Sequence, residues 1–312
     1  MTLPDTSHLL IAAAGPVQPG DAALPALPHL AALLRRLAPA GRIDADEDTA
    51  ATPLETALAR ARGLPDTPGL TPWAAFDTAT TGTACAWLRP CHWQLGMGDA
   101  QLTDPAALAL TDAESHALHA ACAPLLAEDG IALDYHAPGA WLARGAVFDG
   151  MHAPSLASAS GRSITPTQLA RAATPEHQRH WQRLQNELQM LLYTHPVNDA
   201  RDTRRQPPVN ALWAEGAGRL DHLPAPTPQV RVDARLSALD PTDAAARAAT
   251  WQAIDADALA PLHAALNAGA DVRLTLCGPR AALTWGAAAG SPWQRLARLW
   301  QRQPLADVLA AL

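Results

Sequence analysis

Residues 181–219 read WQRLQNELQMLLYTHPVNDARDTRRQPPVNALWAEGAGR. The first part repeats apolar side chains, among them Trp181, Leu184 and Leu188, at helical spacing, which predicts a helix that buries one face. Pro196 is expected to end this helix, because proline lacks an amide hydrogen and restricts the residue before it. Residues 209–213 alternate like a buried strand, and the Gly-Ala-Gly at 216–218 predicts a tight turn. The stretch therefore predicts a helix and a strand joined by a basic, polar loop.

Polar side chains concentrate near the ends of this helix and this strand, and such clusters are typical of functional sites. Five of them are predicted to line a ligand site at one edge of a sheet: His195, Asn198, Arg201, Asn210 and Arg219. The arginines offer planar forks that suit a carboxylate or a phosphate. The asparagines have a second interpretation, because asparagine commonly bonds to nearby backbone in turns. The whole cluster could likewise be a helix end with solvated loop charges, so the sequence leaves both interpretations open.

The composition narrows the class of protein. The chain has 312 residues, of which 48% are hydrophobic, so it is long enough for one large or two ordinary folded domains. Its formal charge is -7, and all 23 basic residues are arginine. An acidic balance argues against a nucleic-acid partner, and the lack of lysine excludes Schiff-base and P-loop lysine chemistry.

The cysteines and histidines do not predict a metal site. Four cysteines show no CxxC spacing, so structural zinc and a disulfide framework are not expected. His116 and His119 lie three residues apart on a predicted helix, but no carboxylate–histidine motif accompanies them, which favours a structural role. No apolar run reaches the roughly 20 residues of a membrane span. We therefore expect a cytoplasmic protein without metal or other cofactor and without a membrane partner.

Strands and helices alternate on both sides of a mixed middle section. This order predicts an α/β fold with a parallel sheet, formed by residues 1–80 and 175–312, and an inserted α+β domain at residues 81–174. Near the start, Thr52-Pro53-Leu54-Glu55 has the form of a capping box at a helix N-terminus, and Thr111 with Glu114 three residues later predicts the cap of a second helix.

Several segments resemble the cofactor-independent phosphoglycerate mutases of the archaeal type, which belong to the alkaline phosphatase superfamily. Within that family, the sequence resembles a divergent proteobacterial branch. The similarity runs through HLLIAAAGP at 8–16, PALPHLAALLRRLAP at 25–39, TPLETALARARGLP at 52–65, the inserted segment at 91–118, HPVNDAR at 195–201, PPVNALWAEGAG at 207–218, and WQAIDADALAPLHAAL with VRLTLCG after it. The resemblance implies an alkaline-phosphatase-like core, two divalent cations on Asp and His ligands, and a Ser or Thr that carries phosphate.

The chain departs from that pattern at the residues that matter for catalysis. Where the resemblance implies an aspartate after the first strand, the sequence has Ala12, Ala13 and Ala14. Where it implies Asp-His after the late strand, the sequence has Cys277 and Gly278. The remaining candidates for a phosphate carrier are Thr49 and Thr52, and a capping role already explains Thr52, which disfavours catalysis there.

Three functions follow from this comparison. The favoured one is a mutase-like pseudoenzyme that binds a small anionic ligand or a regulatory partner, because a two-metal site tolerates few ligand losses. The alternative is an active mutase or phosphohydrolase whose metal ligands have moved to other positions. A purely structural interaction protein is the third.

Overall fold

The computed structural model describes residues 6–15, 25–95, 100–103, 105–160, 163–164, 169–225, 229–240, 242–287 and 304–312. These residues form two compact units. The first unit contains residues 1–46, 52–63 and 225–312, and the second contains residues 47–51 and 64–224.

The strands, in chain order, are β1 (Thr6–Ile11), β2 (Ala38–Asp44), β3 (Cys85–Cys91), β4 (Trp93–Leu95), β5 (Ala100–Leu102), β6 (Ala132–Ala137), β7 (Ala140–Arg144), β8 (Ser163–Ile164), β9 (Ala211–Gly218), β10 (Gln229–Asp233), β11 (Asp271–Cys277) and β12 (Ala281–Gly286). The helices are α1 (Pro28–Arg36), α2 (Pro53–Ala61), α3 (Trp73–Asp77), α4 (Pro105–Leu108), α5 (Asp112–Glu128), α6 (Leu156–Ala159), α7 (Pro175–Tyr193), α8 (Pro196–Thr203), α9 (Ala244–Ile254), α10 (Ala260–Asn267) and α11 (Leu305–Ala310). A π-helical turn, Asp255–Leu259, joins α9 to α10.

The first unit is built on a five-stranded sheet in the order β10-β1-β11-β12-β2. β1 pairs in parallel with β10 and with β11, whereas β12 and β2 pair antiparallel. Leu9 and Ile11 face a core shared with α1, α9 and α10, and Leu10 faces a smaller core shared with α2. Burial on both faces explains why β1 is a continuous apolar run. The predicted α/β class is confirmed, but the sheet is mixed because β12 returns as a hairpin.

The second unit contains an antiparallel sheet in the order β6-β7-β3-β9. Its core includes the apolar faces of α5 and α7, with Leu118, Trp181, Leu184 and Leu188 buried among them. The predicted helix through Trp181 is confirmed. A smaller sheet in the order β4-β5-β8 completes this unit among the described residues.

The observed boundary between the units differs from the predicted one. The predicted core includes all of residues 175–312, but residues up to 224 belong to the second unit. The cause is strand pairing: β9 pairs with β3, with Trp213 opposite Arg89, and not with a strand of the first unit. Residues 64–80 also belong to the second unit, where α3 contacts β9.

α7 ends at Tyr193, so the predicted end of this helix before Pro196 is confirmed. Two other local predictions in the 181–219 stretch are wrong. The segment after Pro196 is not all loop, because proline is tolerated at a first helical position and Pro196 begins helix α8, which His195 caps. Gly216 and Gly218 lie within β9 and not in a turn. A Cβ on Gly216 would lie 2.9 Å from the Cβ of Trp73, so this strand needs glycine for the close approach of α3.

The sequence also predicts two helices near the C-terminal end, at residues 293–300 and 305–312. The first lies outside the described residues, and the second is present as α11, over Leu305–Ala310. In the described part of the chain, every helix is too short or too polar to cross a membrane.

Candidate functional site

The predicted ligand-binding residues lie at the two ends of β9 in the second unit. His195 caps α8: its Nδ1 accepts a hydrogen bond from the Val197 amide at 3.2 Å. Burial lowers the pKa of His195, so the ring is neutral at neutral pH and acts as an acceptor. The capping contact accounts for the position of this ring.

Asn198 ties α7 to the segment before β9. Its Nδ2 donates to the carbonyls of Leu192, at 2.7 Å, and Val209, at 2.8 Å. Its Oδ1 accepts from the Val209 amide at 2.8 Å. The side chain is buried, with 6% of the residue exposed. Every one of these contacts is to the backbone, which matches the structural interpretation of the asparagines.

Arg201 links neighbouring segments of the second unit and is fully inaccessible to solvent. Its Nε donates to the Pro207 carbonyl at 2.8 Å, its Nη2 to the Leu108 carbonyl, and its Nη1 to Glu114 at 3.1 Å. The guanidinium therefore joins α8, the end of α4 and the start of α5, and it presents no surface to an anion.

Glu114 is the carboxylate partner of Arg201, and the sequence analysis did not include it in this cluster. It closes a capping box with Thr111 at the start of α5 and pairs with both Arg201 and Arg204. Burial raises the pKa of its carboxyl, but hydrogen bonds from Thr111 and the charges of the two arginines outweigh this and lower it. The sequence pattern predicts the capping box itself, but the contact with an arginine 87 positions away has no local signal.

Asn210 makes a reciprocal pair with the backbone of Trp93. Its Oδ1 accepts from the Trp93 amide at 2.8 Å, and its Nδ2 donates to the Trp93 carbonyl at 2.9 Å. The amide side chain thereby imitates a strand neighbour at the beginning of β4. Glu215, further along β9, also has protein partners: its carboxylate accepts hydrogen bonds from Arg89 at 2.6 Å and from the Leu156 amide at 2.7 Å.

Arg219 does not join the other four residues. It follows β9, whose eight residues span about 25 Å at about 3.3 Å per residue. The predicted convergence of all five residues is therefore wrong, because the length of the strand separates Arg219 from Asn210. Arg219 lines an open cavity of about 380 Å³ with Arg144, Thr83 and Asp149. Its ion pairs there are loose, at 3.7 Å to Asp149 and 3.5 Å to Asp221.

The threonine candidates for phosphate transfer lie in different units. The capping box predicted for Thr52 is confirmed: its Oγ1 accepts from the Glu55 amide at 3.2 Å, and the Glu55 carboxylate accepts from the Thr52 amide at 2.7 Å. Thr49 is half-buried in the 47–51 segment of the second unit.

The carboxyl ends of β1 and β11 are the expected place for a ligand in the first unit, since open α/β sheets bind beyond the carboxyl ends of parallel strands. β1 is followed by Ala12, Ala13 and Ala14, and β11 by Gly278. Ala13 has a φ of 52°, a left-handed conformation that costs an alanine about 1–2 kcal/mol. The Ala14 amide donates to the Cys277 carbonyl at 2.7 Å, which holds the two strand ends together.

Leu312 occupies the space beyond these strand ends. Its carbonyl accepts from the amides of Arg280, at 2.9 Å, and Ala281, at 2.8 Å. A Cβ on Gly278 would lie 2.5 Å from the Leu312 Cβ, and one on Gly15 would lie 3.2 Å from it. Leu312 thus fills the gap between the loops that follow β1 and β11, and only 1% of it is exposed. We call the region of residues 12–15, 277–278 and 312 the closed edge.

Two charged side chains beside the closed edge, Arg247 and Asp233, already have partners. The Arg247 Nη2 donates to the carbonyl of Ala13 at 2.6 Å and to that of Gly15. Asp233, at the end of β10, accepts from Arg235 at 2.7 Å, and this contact lowers the pKa of the carboxyl. Burial raises the pKa of the Cys277 thiol to about 12, so no thiolate is available at neutral pH.

The two neighbouring histidines of α5, His116 and His119, have aromatic partners. His116 stacks on Tyr135 with ring centroids 3.7 Å apart and pairs with Asp112 at 3.5 Å, and His119 meets Trp141 edge to face. Over the described ranges, no three His, Cys, Asp or Glu side chains are grouped so as to hold a metal ion.

No family model matches the chain, and no curated protein does. Among solved structures, it is similar to the cofactor-independent phosphoglycerate mutase from Thermoplasma acidophilum DSM 1728, at 15% identity and a TM-score of 0.37 over 89% of each chain. It is also similar to the PH0037 protein from Pyrococcus horikoshii, at 11% identity and a TM-score of 0.43 over 93% of this chain and 89% of that one. Likeness at this level does not place the chain in either protein's family.

Proposed function

We propose that this chain is a non-catalytic relative of the phosphoglycerate mutases, which binds a small anion or a regulatory partner instead of transferring phosphate. The observation that carries the proposal is the closed edge. Alanines, a buried thiol and a glycine stand where the resemblance implies metal ligands, and Leu312 fills the space beyond them.

The chemistry of the closed edge supports loss of phosphate transfer. A two-metal centre must stabilise both the attacking and the leaving oxygen, so it needs several carboxylate and imidazole ligands close together. Alanine cannot ligate, and a protonated thiol is a poor ligand for manganese or magnesium. Asp233, whose backbone carbonyl accepts from the Ala12 amide, has its carboxylate engaged by Arg235.

Of the five predicted ligand-binding residues, Arg219 has the surroundings that best fit an anion. It shares its cavity with Arg144, whose guanidinium pairs with Asp134, and with the hydroxyl-bearing Thr83. Among the described residues the Arg219 guanidinium makes no hydrogen bond, only ion pairs with Asp149 at 3.7 Å and Asp221 at 3.5 Å, so a carboxylate or phosphate that displaces these carboxylates would take its planar fork. We propose this cavity as the anion site of the second unit, and we place the protein in the cytoplasm because its four buried cysteines are free thiols.

Turnover and metal content test the loss of catalysis. We expect no interconversion of 2- and 3-phosphoglycerate with added Mn²⁺, Mg²⁺ or Zn²⁺, in parallel with an active cofactor-independent mutase as the positive control. Two equivalents of bound metal together with turnover would overturn the proposal and favour an active enzyme with relocated ligands.

Thermal shift tests the anion site separately. A ligand that binds only the folded state raises the melting temperature. Phosphate or 3-phosphoglycerate should therefore stabilise the wild type, and Arg219→Gln should remove this stabilisation. Arg204→Gln, which removes an exposed arginine of the Glu114 cluster, is the matched control and should keep it. An equal shift in Arg219→Gln and in the wild type would refute the assignment of this cavity.

A further inference from the structure

Two histidines face each other in the first unit, outside the closed edge. His29 lies in the first turn of α1, and His263 lies on α10. Their Nδ1 atoms are 3.3 Å apart, and the ring centroids are 5.6 Å apart at an interplanar angle of 61°. Both side chains are half-buried, so one side of the pair is open to solvent.

The distance between the two nitrogens suits a shared metal ion. Hydrogen bonds from N–H groups most often measure about 2.9–3.0 Å, so 3.3 Å is long for a shared proton. Zinc binds imidazole nitrogen at about 2.0–2.1 Å in tetrahedral geometry, which separates two such nitrogens by about 3.3–3.4 Å. The pair therefore already has the spacing that a tetrahedral ion requires.

Asp255 fixes the two helices that carry the rings. Its carboxylate accepts from the His29 amide at 3.2 Å and from the Leu30 amide at 2.8 Å. It thus caps α1 from another helix, since the N-cap residue Leu27 makes no side-chain bond. Asp255 opens the π-helical turn before α10, and such turns frequently accompany functional sites.

The charges around the pair bear on cation binding. Arg35 and Arg36 lie near His263 and oppose a cation, and the buried Asp255 carboxylate offsets part of that cost.

We propose that His29 and His263 form a two-histidine site for a borderline divalent transition metal such as Zn²⁺, Co²⁺ or Ni²⁺, with water in the remaining positions. The ion binds both Nδ1 atoms. A ring that carries its proton on Nδ1 in the metal-free chain moves that proton to its own Nε2, so both rings ligate as neutral imidazoles and the charge balances. This site does not depend on the proposed loss of phosphate transfer, since neither histidine belongs to the closed edge.

Titration of the metal-free chain with Zn²⁺ alone at pH 7.5 tests the proposal. Calorimetry should show one ion per chain, and His29→Gln and His263→Gln should each abolish this binding. His116→Gln is the matched control, because it removes the other closely spaced histidine pair and should leave binding unchanged. Zinc binding that persists in both His29→Gln and His263→Gln, or no binding to the wild type, would overturn the proposal.

A second measurement does not depend on whether the variants fold. Diethyl pyrocarbonate modifies accessible imidazoles, and peptide mass mapping locates the modified residues. Zn²⁺ should protect His29 and His263 in the wild-type chain and leave His116 and His222 reactive. Equal modification of His29 and His263 with and without Zn²⁺ would refute the site.

Discussion

Replacing Asn198 with alanine tests whether the cluster around this residue stabilises the fold or binds a ligand. The side chain is buried and makes three hydrogen bonds to backbone, at 2.7, 2.8 and 2.8 Å. Asn198→Ala strands the amide and the carbonyl of Val209, whereas the Leu192 carbonyl keeps the His195 amide as a donor. Each stranded buried group costs about 1–3 kcal/mol, so the variant should lose about 2–6 kcal/mol of stability. That is a large part of the roughly 5–15 kcal/mol that stabilises a typical domain.

Urea unfolding followed by circular dichroism measures this loss. Asn210→Ala provides a graded comparison: it removes two bonds to a half-buried backbone site and should cost about 1–3 kcal/mol. Asn186→Ala is the control, because Asn186 is exposed on α7 and its loss should stay within about 0.5 kcal/mol.

An Asn198→Ala protein that is as stable as the wild type within about 0.5 kcal/mol, the range of ordinary surface substitutions, would refute the structural role of this side chain. If that variant also lost stabilisation by phosphate, Asn198 would belong to a ligand site, as the other sequence interpretation holds.

Three further predictions concern single side chains. Burial, and then the charge of Arg273, lower the pKa of His8 to about 4. Between pH 6.5 and 4 the unfolded chain therefore binds a proton at His8 that the folded chain does not, and the free energy of unfolding should fall by about 3 kcal/mol as the pH drops through that window. His8→Gln should flatten this pH dependence in unfolding measurements. Arg201→Leu should cost about 3–5 kcal/mol in urea unfolding by leaving Glu114 without its buried partner, where an anion-binding arginine would leave the free protein nearly unchanged. Gly278→Ala should lower the melting temperature by several degrees because its Cβ would lie 2.5 Å from that of Leu312, whereas Gly139→Ala, with nothing within 4 Å, should not.

Local patterns predict much of the fold. The apolar run of β1, the helix through Trp181 and the capping boxes at Thr52 and Thr111 each depend on neighbours a few residues away, and the structure has all of them. The lack of carboxylates directly after β1 and β11 is also visible in the sequence, because it is a matter of residue identity alone.

The features that depend on contacts between distant parts of the chain could not be predicted from the sequence. Which sheet receives β9 depends on its register with β3, more than 100 residues earlier, so the predicted boundary of the second unit is wrong. Long-range contacts also decide the role of Arg201. An arginine at this position suits an anion site, but its contacts with Glu114 and the Leu108 carbonyl bury its guanidinium and give it a structural role. Leu312 carries no sequence signal of its position over the strand ends, because its partners are backbone amides.

The accessibility of Cys277 tests the closed edge most directly. The thiol is 1% exposed, and burial raises its pKa to about 12. Iodoacetamide labelling of the native chain, read by peptide mass mapping, should leave Cys277 unmodified until urea unfolds the protein, because only an exposed thiolate reacts. Labelling of Cys277 in the native chain at the rate seen after unfolding would show that the edge is open, and it would contradict the proposed loss of the two-metal centre at this position.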